Sequence, residues 1–397
     1  MRIDRRDIIK SALVAGLGLP MPPQPLVKIN QETGMANLTI HLNPTLGRDT
    51  NAGSLEAPIK SLAELTRRIN AASGQGSITA ILSEGVYIVD ETVRLAADNR
   101  RFTEGSRLTI RAAVLPDDPE WNIGRMPTLI HSLPVSPNWN GRPDPLGGAA
   151  NGILVESSHV TIRGLKILGL PVIETPVPGR KQRLYGIARL RRDLDDLEVA
   201  QCLFISRFEV ASLHVGIIAH GNRVNVHHCV FQGDVKDAVV YWTPGSRGHA
   251  MRNCLFRGMY SSTVWTSGIA DDFDYRNNVV ANANYVWIYQ SGGSARADAN
   301  GRPTQPGTGL LVSPKPTERY QVIGSYFANN KGLTGTGTGA RVEFSPIDSS
   351  FLTLTGTKIT PQEVIFESDS TKRNYLHPVT GSEAASIGAG LFMKPFG

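Results

Sequence analysis

Apolar and polar positions alternate in short segments that recur through the middle of the chain. In each segment of eight residues, the first, third, sixth and eighth are mostly apolar, and the second and fourth are mostly polar. This alternation predicts a short strand with one buried face, a corner at the fifth residue, and a second strand. Six such segments align without gaps, at residues 160–167, 197–204, 224–231, 249–256, 273–280 and 320–327.

The spacing of these segments indicates a repeat. Val199, Val226, Met251 and Tyr275 are equivalent, and they lie 27, 25 and 24 residues apart, about one coil of a parallel β-helix. The corner residues are mostly Gly or Asn, which tolerate the positive φ of a tight bend. A further apolar run precedes each corner segment, so three strands per coil are expected. The fold class predicted is therefore all-β, a single-stranded parallel β-helix solenoid.

The N-terminal part of the chain predicts a capping helix. Pro58 stands where the first turn of a helix tolerates proline, and Ser61 with Glu64 has the spacing of a capping box. Apolar residues between positions 59 and 69 predict an amphipathic helix of about four turns. We expect it to cover the open end of the solenoid, where strand edges would otherwise be unpaired.

The remaining segments complete a single solenoid domain at residues 23–397. The cap is predicted at 37–75, the coils at 76–370 and a closing segment at 371–397. Early coils are expected at 78–82, 87–95, 108–113 and 128–133, and late coils at 352–357 and 363–367. Two insertions rich in Pro, Gly or Arg, at 170–182 and 291–317, are expected to be loops.

The three cysteines fall at the same position of successive coils. Cys202, Cys229 and Cys254 each occupy the sixth residue of a segment, so stacking should place their thiols in an inward column about 4.8 Å apart. That spacing exceeds the Cβ separation of about 3.5–4.5 Å usual in disulfides. We therefore predict free thiols, and we expect no zinc site because a straight column distorts a tetrahedron.

Charge and the first residues bear on location and partners. The formal net charge is +6, a spread excess that suits an acidic glycan and equally suits a merely basic protein. Without a basic tract or a known nucleic-acid motif, no nucleic-acid partner is expected. Arg5 and Arg6 followed by a short apolar run resemble a twin-arginine export signal at residues 1–22. No segment is long enough to span a membrane, so a periplasmic or extracellular location is expected.

Several motifs resemble those of the right-handed parallel β-helix superfamily, the pectate lyase-like proteins that are secreted and act on carbohydrates. The stretch 43–58, with Gly47, Asp49, Gly53 and Pro58, is similar to the superfamily's opening before its capping helix. The stretches 83–87, 253–256 and 386–389 resemble its later coil and closing motifs. The resemblance implies a right-handed solenoid. The superfamily includes lyases, glycosidases and noncatalytic surface proteins. The polygalacturonase signatures are absent, so no catalytic residue is carried over.

Polar and aromatic residues collect on the strand before each corner, in two columns expected to face outward. Exposed aromatic rings arranged along a groove suit sugar binding because pyranose rings stack on them. Filling of the core is the alternative for each ring taken singly. The predicted substrate-binding residues are Arg189, Trp242, Trp265, Trp287, Tyr289 and Gln290.

Charged residues around these columns supply two possible chemistries. A lyase needs a cation to neutralise a uronate carboxylate, which Arg247 or Lys236 would provide, and a base to remove the α-proton. A hydrolase needs two carboxylates, for which Asp237 with Asp271 or Asp272 is the candidate pair. The candidates for the base are His220, Tyr241 and His249.

Two further clusters have a structural and a functional interpretation. Arg163, His227, Arg252 and Arg276 share an outward column, which forms a solvated face if Glu198 and Asp274 pair with it diagonally. An anionic glycan or sulfate site is the alternative. The run at residues 191–196 holds three Asp residues that offer oxygen ligands to Ca²⁺; no other metal or cofactor is predicted.

The sequence thus leads to two hypotheses from different classes. The first is an exported enzyme that cleaves an acidic polysaccharide, with a lyase ahead of a glycoside hydrolase. The second is a noncatalytic carbohydrate-binding or cell-surface β-helix. An enzyme requires an ionisable pair within contact distance, whereas a binding module requires only aromatic rings and hydrogen-bonding groups. The sequence does not specify the sugar, the linkage or the oligomeric state.

Overall fold

The computed structural model describes residues 37–133, 138–139, 142–143, 149–171, 183–207, 210–289, 318–338, 341–345 and 351–394. Residues 138–139, 142–143, 335–338 and 341–345 are described by their backbone alone. The predicted export signal at 1–22, Gln290, the insertion at 291–317 and most of the insertion at 170–182 lie outside these residues.

The fold is a right-handed parallel β-helix, as predicted. Between residues 160 and 289 the chain visits three sheets in turn, so that each coil contributes one strand to each sheet. In the first sheet, sheet 1, the described strands are Leu38–Leu42, Ile78–Leu82, Leu108–Ala112, Val160–Arg163, Leu197–Ala200, Val224–His227, Ala250–Arg252, Asp274–Arg276, Tyr320–Ile323 and Leu352–Thr355.

The other two sheets follow the same order along the solenoid. Sheet 2 contains Val86–Val89, Thr128–His131, Lys166–Leu168, Leu203–Ser206, Val230–Gly233, Leu255–Arg257, Val279–Ala281, Tyr326–Ala328 and Lys358–Thr360. Sheet 3 contains Val93–Leu95, Ala149–Val155, Arg183–Arg189, Val215–Ala219, Asp237–Tyr241, Ser262–Thr266, Tyr285–Tyr289, Gly332–Thr338 and, antiparallel, Arg341–Ser345. Short strand pairs join Gly74–Gln75 to Arg100–Arg101, Asn138–Trp139 to Arg142–Pro143, and Leu170–Pro171 to Ala211–Ser212.

The register aligns like residues into columns that fill the interior. In sheet 2, Phe204, Phe231 and Phe256 are direct neighbours. The rings of Phe204 and Phe231 are stacked with centroids 4.5 Å apart, and those of Phe231 and Phe256 with centroids 5.1 Å apart. All three rings are buried, so the repeat of the sequence becomes a continuous core in which each coil buries its neighbour's apolar face.

The corners between sheets 1 and 2 have the predicted conformation. The six fifth residues all have φ between 50° and 76°, including Gln201 and His228, whose side chains do not favour it. The Gln201 amide donates to the carbonyl of Leu391 at 2.7 Å and to Asp117 Oδ2 at 3.1 Å. These contacts offset the strain that a residue other than glycine meets at such a corner.

The cysteine column is present as predicted. Cys202, Cys229 and Cys254 are free and buried. Each Sγ lies 3.3 or 3.4 Å from the carbonyl oxygen two residues earlier in its own strand. Burial raises the pKa of Cys202 and Cys229 well above the ordinary thiol value, so these thiols remain protonated, as buried structural thiols do.

The capping helix spans Leu62–Ala71 and begins a turn later than predicted. Ser61 is the N-cap, and its Oγ accepts the backbone N–H of Glu64 at 3.1 Å. The Asp49 carboxylate accepts the backbone N–H groups of Lys60 and Ser61, which keeps the chain at Pro58 out of the helix. The buried side chains of the helix join the core at one end of the solenoid. Among the described residues, no helix has the length and apolar character to cross a membrane.

The C-terminal segment packs along the outside of sheet 2. Its buried apolar residues form a second cluster with the outward residues of that sheet. Phe392 contacts Trp121 edge to face at 5.3 Å, and the backbone N–H of Met393 donates to Asp117 at 2.9 Å.

The late coil predicted at 363–367 is wrong: the last sheet 2 strand ends at Thr360, and beyond it Phe366 forms an isolated bridge with Pro378. Glu383–Ser386 is a short helix and Ile123–Arg125 a 3-10 turn.

Candidate functional site

One of the two sheet 3 columns predicted to face outward points into the core instead. Arg189, Ala219, Tyr241, Thr266 and Tyr289 are direct neighbours in the register, and all are buried. The strands Asp237–Tyr241 and Tyr285–Tyr289 bend near their second and third residues, and both side chains there point inward: Ala238 and Val239 join the core, as do Val286 and Trp287. The alternation is therefore shifted by one residue relative to a straight strand.

Arg189 is consequently a structural residue and not a surface ligand for sugar. Its guanidinium donates to the carbonyl oxygens of His220 at 2.7 Å and Asn222 at 2.8 Å. These carbonyls belong to the turn between sheets 3 and 1, which the arginine thereby fixes. Burial lowers the pKa of Arg189 to about 10, which leaves it charged at neutral pH.

Tyr241 and His249 also belong to the interior, so their predicted exposure as candidate bases is wrong. The Tyr241 hydroxyl donates to the carbonyl of Ala250 at 3.3 Å, and burial raises its pKa well above the ordinary value. His249 accepts the backbone N–H of Val224 on Nδ1 at 3.2 Å, and its Nε2 lies 2.8 Å from Ser246 Oγ. Burial lowers the pKa of His249 to about 3, and both of its ring nitrogens are engaged.

Trp287 and Tyr289 are core aromatics, contrary to the prediction that they face a groove. The Trp287 indole is fully buried, stacks on Tyr320 at 5.0 Å, and donates to Thr266 Oγ1 at 2.9 Å. Tyr289 is buried and its hydroxyl donates to Glu318 at 2.7 Å. The column pattern misplaced both because it assumed unbroken alternation along the strand.

The outward side chains at the start of the sheet 3 strands form a polar cluster, which we call the strand-start cluster. Its members are Arg183, Tyr185, His214, Lys236, Asp237, Tyr260 and Ser262. Tyr185, Val215, Asp237 and Ser262 are direct neighbours in the register. Arg183, Tyr185, Asp237 and Ser262 belong to strands of the solenoid, and the other three members lie one or two residues before such strands, so the cluster is held by the scaffold.

Asp237 is the buried anion of this cluster. Its side chain is 1% exposed, and Oδ1 accepts both the hydroxyl of Ser262 at 2.8 Å and its backbone N–H at 3.2 Å. Its Oδ2 lies 3.1 Å from the ammonium of Lys236. A buried carboxylate is tolerated because these donors replace its lost hydration.

Lys236 connects this carboxylate to an aromatic surface. Its Nζ lies 5.0 Å from the ring centroid of Trp265, within the range of a cation–π interaction. Trp265 lies on the outer face of sheet 3 and is 4% exposed, and its indole N–H has no hydrogen-bond acceptor among the described residues. The half-buried Trp242 ring lies 5.9 Å from it. Of the predicted substrate-binding residues, these two tryptophans are the ones placed beside the cluster.

His214 lies between two cations. Burial, followed by the charges of Lys236 and Arg183, lowers the pKa of His214 well below its ordinary value. The imidazole is therefore neutral at physiological pH. Its ring lies 5.7 Å from that of Tyr185, whose hydroxyl accepts from Arg183 at 3.3 Å. Such a group with a perturbed pKa beside specific charges is a feature of functional sites.

Tyr260 lies near the two acids at this end of sheet 3. Burial, with the charges of Asp237 and then Asp234, raises the pKa of Tyr260 well above its ordinary value. Its phenol therefore keeps its proton. The cluster thus combines a neutral imidazole, two cations, a buried carboxylate and two phenols.

The remaining predicted catalytic residues lie beyond the opposite ends of the strands. His220 is buried, with Nδ1 3.0 Å from Thr243 Oγ1. Arg247 is exposed, and its backbone N–H bonds to Asn222. Asp271 and Asp272 are exposed, and Asp272 accepts the backbone N–H of Gly248 at 3.0 Å.

The predicted hydrolase pair is therefore not brought together. Asp237 is in register with Ser262, at the start of its neighbouring strand, whereas Asp271 follows the end of that strand. The four steps from Ser262 to Thr266 alone cover about 13 Å. This exceeds the separation of about 6.5–9.5 Å typical of inverting glycosidases.

The charged column on sheet 1 is paired as the solvated-face interpretation expected. Glu198 bonds to His227 Nε2 at 3.0 Å, and Asp274 pairs with both Arg252 and Arg276. Each acid thus has a basic partner in a neighbouring strand, whereas Arg163 donates to the amide oxygen of Gln201 at 2.7 Å.

The candidate calcium ligands are engaged by basic side chains. Asp193 pairs with Arg191, Asp195 with Arg223 at 2.8 Å, and Asp196 with Arg107 and with His159 at 2.8 Å. Within the part of the chain that the structure describes, no three or more His, Cys, Asp or Glu side chains are grouped to hold a metal ion.

Sequence reasoning missed Arg183, Tyr185, His214, Tyr260 and Ser262. All five lie one to three residues before the Gly or Thr that begins the apolar run, at position 186, 216 or 263. The usable signal was the repeated polar or aromatic residue directly before the apolar run, at 185, 237, 262 and 285.

Among known proteins, the similarities found are to solved structures and are low in sequence identity. No family model matches the chain, and no curated protein matches it. A GH136 lacto-N-biosidase from Eubacterium ramulus is similar at 10% identity over 83% of this chain and 68% of that one, with a TM-score of 0.47. A rhamnogalacturonan lyase is similar at 11% identity over 89% and 99%, with a TM-score of 0.46. A pectin methylesterase from Erwinia chrysanthemi is similar at 10% identity over 90% and 98%, with a TM-score of 0.37.

Proposed function

We propose that this protein is an exported polysaccharide lyase that cleaves an acidic glycan at the strand-start cluster. The observation that carries the proposal is the grouping of His214, Tyr185 and Arg183 on the outer face of sheet 3. The His214 ring lies 5.7 Å from that of Tyr185, whose hydroxyl accepts from Arg183 at 3.3 Å. The lowered pKa of His214, to which the charges of Lys236 and Arg183 contribute, supports it. β-Elimination needs a base that is deprotonated at working pH and positive charge at the substrate carboxylate. Both are present within one cluster.

Lys236 and Arg183 would bind the uronate carboxylate. Removal of the α-proton moves negative charge onto this carboxylate, so fixed cations stabilise the transition state more than the ground state. Asp237 holds the Lys236 ammonium from one side at 3.1 Å. It therefore acts as a positioning residue for that cation.

His214 would act as the base and Tyr185 as the acid. The imidazole takes the proton α to the carboxylate, and the C–H electron pair forms the new C=C bond. The glycosidic C–O bond breaks, and its oxygen takes a proton from the phenol. The contact of Tyr185 with Arg183 at 3.3 Å stabilises the phenolate that this transfer leaves.

Trp265 and Trp242 would supply the sugar-binding surface. Trp265 presents a buried indole N–H without an acceptor, which a sugar hydroxyl can satisfy. The half-buried Trp242 is 5.9 Å away and offers a ring for stacking. Both lie on the same face as Lys236, so binding and chemistry would share one surface.

The test is an activity assay of the full chain on pectins, alginates, glycosaminoglycans and neutral glycans. Unsaturated-uronate absorbance and reducing ends are followed together. We expect both signals from an acidic glycan, abolished in His214→Gln and retained in the matched control His41→Gln. Reducing ends without absorbance would replace elimination by hydrolysis. Neither signal from a folded protein that still binds a glycan would favour the noncatalytic carbohydrate-binding function.

Export is the second part of the proposal. Arg5 and Arg6 followed by the apolar run to Met21 support a twin-arginine route. Substitution of both arginines by lysine should retain the protein in the cytoplasm of a bacterial host, as measured by fractionation. The same substitution of Arg100 and Arg101 is the control. Equal export of both variants would contradict the assignment.

A further inference from the structure

The last coil leaves inward-facing apolar residues open to solvent. Ile359 continues the sheet 2 column of Phe327 and Val280, yet it is 57% exposed whereas Phe327 is 1% exposed. Leu354 continues the sheet 1 column of Val322 and is 37% exposed whereas Val322 is fully buried. These residues have the positions of core residues, and within the described part of the chain no further coil follows them.

The opposite end of the solenoid is closed. Ile40, in the first strand of sheet 1, is 2% exposed. The capping helix places Leu62, Leu65 and Ile69 in the same buried cluster. One end of the molecule is therefore capped by its own chain, and the other end presents its core.

The strands at the open end also lack the usual protection of a sheet edge. Within the described residues, Leu352–Thr355 and Lys358–Thr360 each pair on one side only. Natural edge strands commonly carry charges, proline or bulges that prevent pairing with another chain. Here the single charged residue of the two strands is Lys358, and its ammonium pairs with Glu383.

We propose that the open end is the interface of a homodimer in which two copies join end to end. A two-fold axis perpendicular to the solenoid axis makes the facing strands antiparallel. Leu352–Thr355 then pairs with the same strand of the second copy, and Leu354 and Ile359 become core residues of a continuous double-length solenoid. Such an interface is isologous and closes at two copies.

The backbone of the open end favours a second copy in this orientation. Leu352–Thr355 is unpaired on its outer side within the described residues, and a strand that lies on a two-fold axis pairs antiparallel with its own copy. Head-to-tail stacking would need the opposite end to be open, and there the helix covers the core. The interface is therefore complementary to itself in backbone and apolar surface.

The test is the mass of the full-length protein in solution, measured by sedimentation equilibrium over a wide range of concentration. We expect the mass of two chains for the wild type and of one chain for Ile359→Lys. Ile88→Lys is the matched control, because Ile88 is 54% exposed on the outward face of the first sheet 2 strand, and it should remain a dimer. A wild-type monomer, or a dimer that Ile359→Lys leaves intact, would overturn the proposal.

A second variant covers the case in which Ile359→Lys does not fold. Thr353 lies on the exposed edge strand, so Thr353→Cys should form a disulfide between two copies under mild oxidation. The native cysteines are buried and do not compete. A Thr353→Cys protein that stays monomeric, with Leu354 and Ile359 protected from hydrogen exchange, would show instead that a segment of the same chain covers this end.

Discussion

The ammonium of Lys236 lies 3.1 Å from Oδ2 of Asp237, and the carboxylate is 1% exposed. Two residues adjacent in sequence thus form an ion pair on the outer face of sheet 3, completed by two donors from Ser262. Burying such a pair costs desolvation, and replacement by apolar residues is often neutral or stabilising. The Lys236–Asp237 pair lies where the proposed elimination needs a cation, so its contribution to function should be tested.

Removing one member of this pair should reduce stability because it leaves the other charge buried and alone. We expect Lys236→Met and Asp237→Asn each to lower the free energy of unfolding by about 3 kcal/mol. The double variant should lose less free energy of unfolding than the sum of the losses in the two single variants. Urea unfolding of the four proteins in a double-mutant cycle measures this coupling. Additive losses would mean that the two charges do not interact.

The base of the proposed reaction should remain neutral below the ordinary histidine pKa. The pKa of His214 is lowered by burial and by Lys236 and Arg183, so kcat/KM should begin to fall only well below pH 6.5. Lys236→Met removes one of the cations and should move this acid limb to higher pH. Lys331→Met, at an exposed lysine outside the cluster, is the control. An unmoved acid limb would exclude His214 as the titrating base.

Buried histidines should make the fold sensitive to acid. Burial lowers the pKa of His131 and His377 to about 4 and that of His249 to about 3. In this range the unfolded chain takes up protons that the folded chain does not, so stability is retained above about pH 6.5 and lost as the pH falls.

The loss should be about 1.4 kcal/mol per pH unit for each such histidine. His249→Gln should reduce the slope of unfolding free energy against pH by that amount between pH 6 and pH 4, measured by urea unfolding. Ser246→Ala removes the contact partner of His249 but keeps the imidazole, and it should keep the slope. Identical slopes for all three proteins would contradict this account.

Trp287 lies on the inner face of sheet 3 and Trp265 on its outer face, and their substitution should affect different properties. Substitution of Trp287 should lower stability, and substitution of Trp265 should weaken glycan binding. Trp287 is enclosed by core aromatics, so Trp287→Leu should lower the free energy of unfolding by about 3 kcal/mol through the cavity it creates. Trp265→Phe keeps a ring and removes the indole N–H, so stability should change little while glycan binding weakens. Thermal unfolding and calorimetric titration separate the two effects. A stability loss of equal size in both variants would place Trp265 in a structural role.

At the Gly324 corner, an added side chain would meet both a positive φ and a close neighbour. At Gly324, φ is 56°, and an added Cβ would lie 2.7 Å from Asn277 Oδ1. We expect Gly324→Ala to cost about 1–2 kcal/mol. Gly105→Ala is the control, since its added Cβ has no neighbour within 4 Å and no positive φ. Equal unfolding free energies would show that the corner accepts a side chain.

The sequence alone determined the repeat. Apolar residues at fixed positions and coil lengths near 25 residues require that each coil buries its face against the next, so the fold and the cysteine column were predictable. The register follows because a slip of one residue would turn every buried side chain outward. The presence of a capping helix was predictable, but the residue at which the helix starts depends on Asp49, which is distant in sequence and accepts the backbone N–H of Ser61.

The tertiary structure decided which face each site residue occupies. The bend within the sheet 3 strands points two consecutive side chains inward, which places Tyr241 and Trp287 in the core and Asp237 on the outer face of the sheet, where it is buried by its neighbours. The composition of a strand does not reveal such a bend, because it arises from the closure of each coil on the three sheets. Only this closure brings His214, Lys236 and Arg183 from three successive coils into one cluster, since the distance between coils, and not the distance along the chain, sets their interaction.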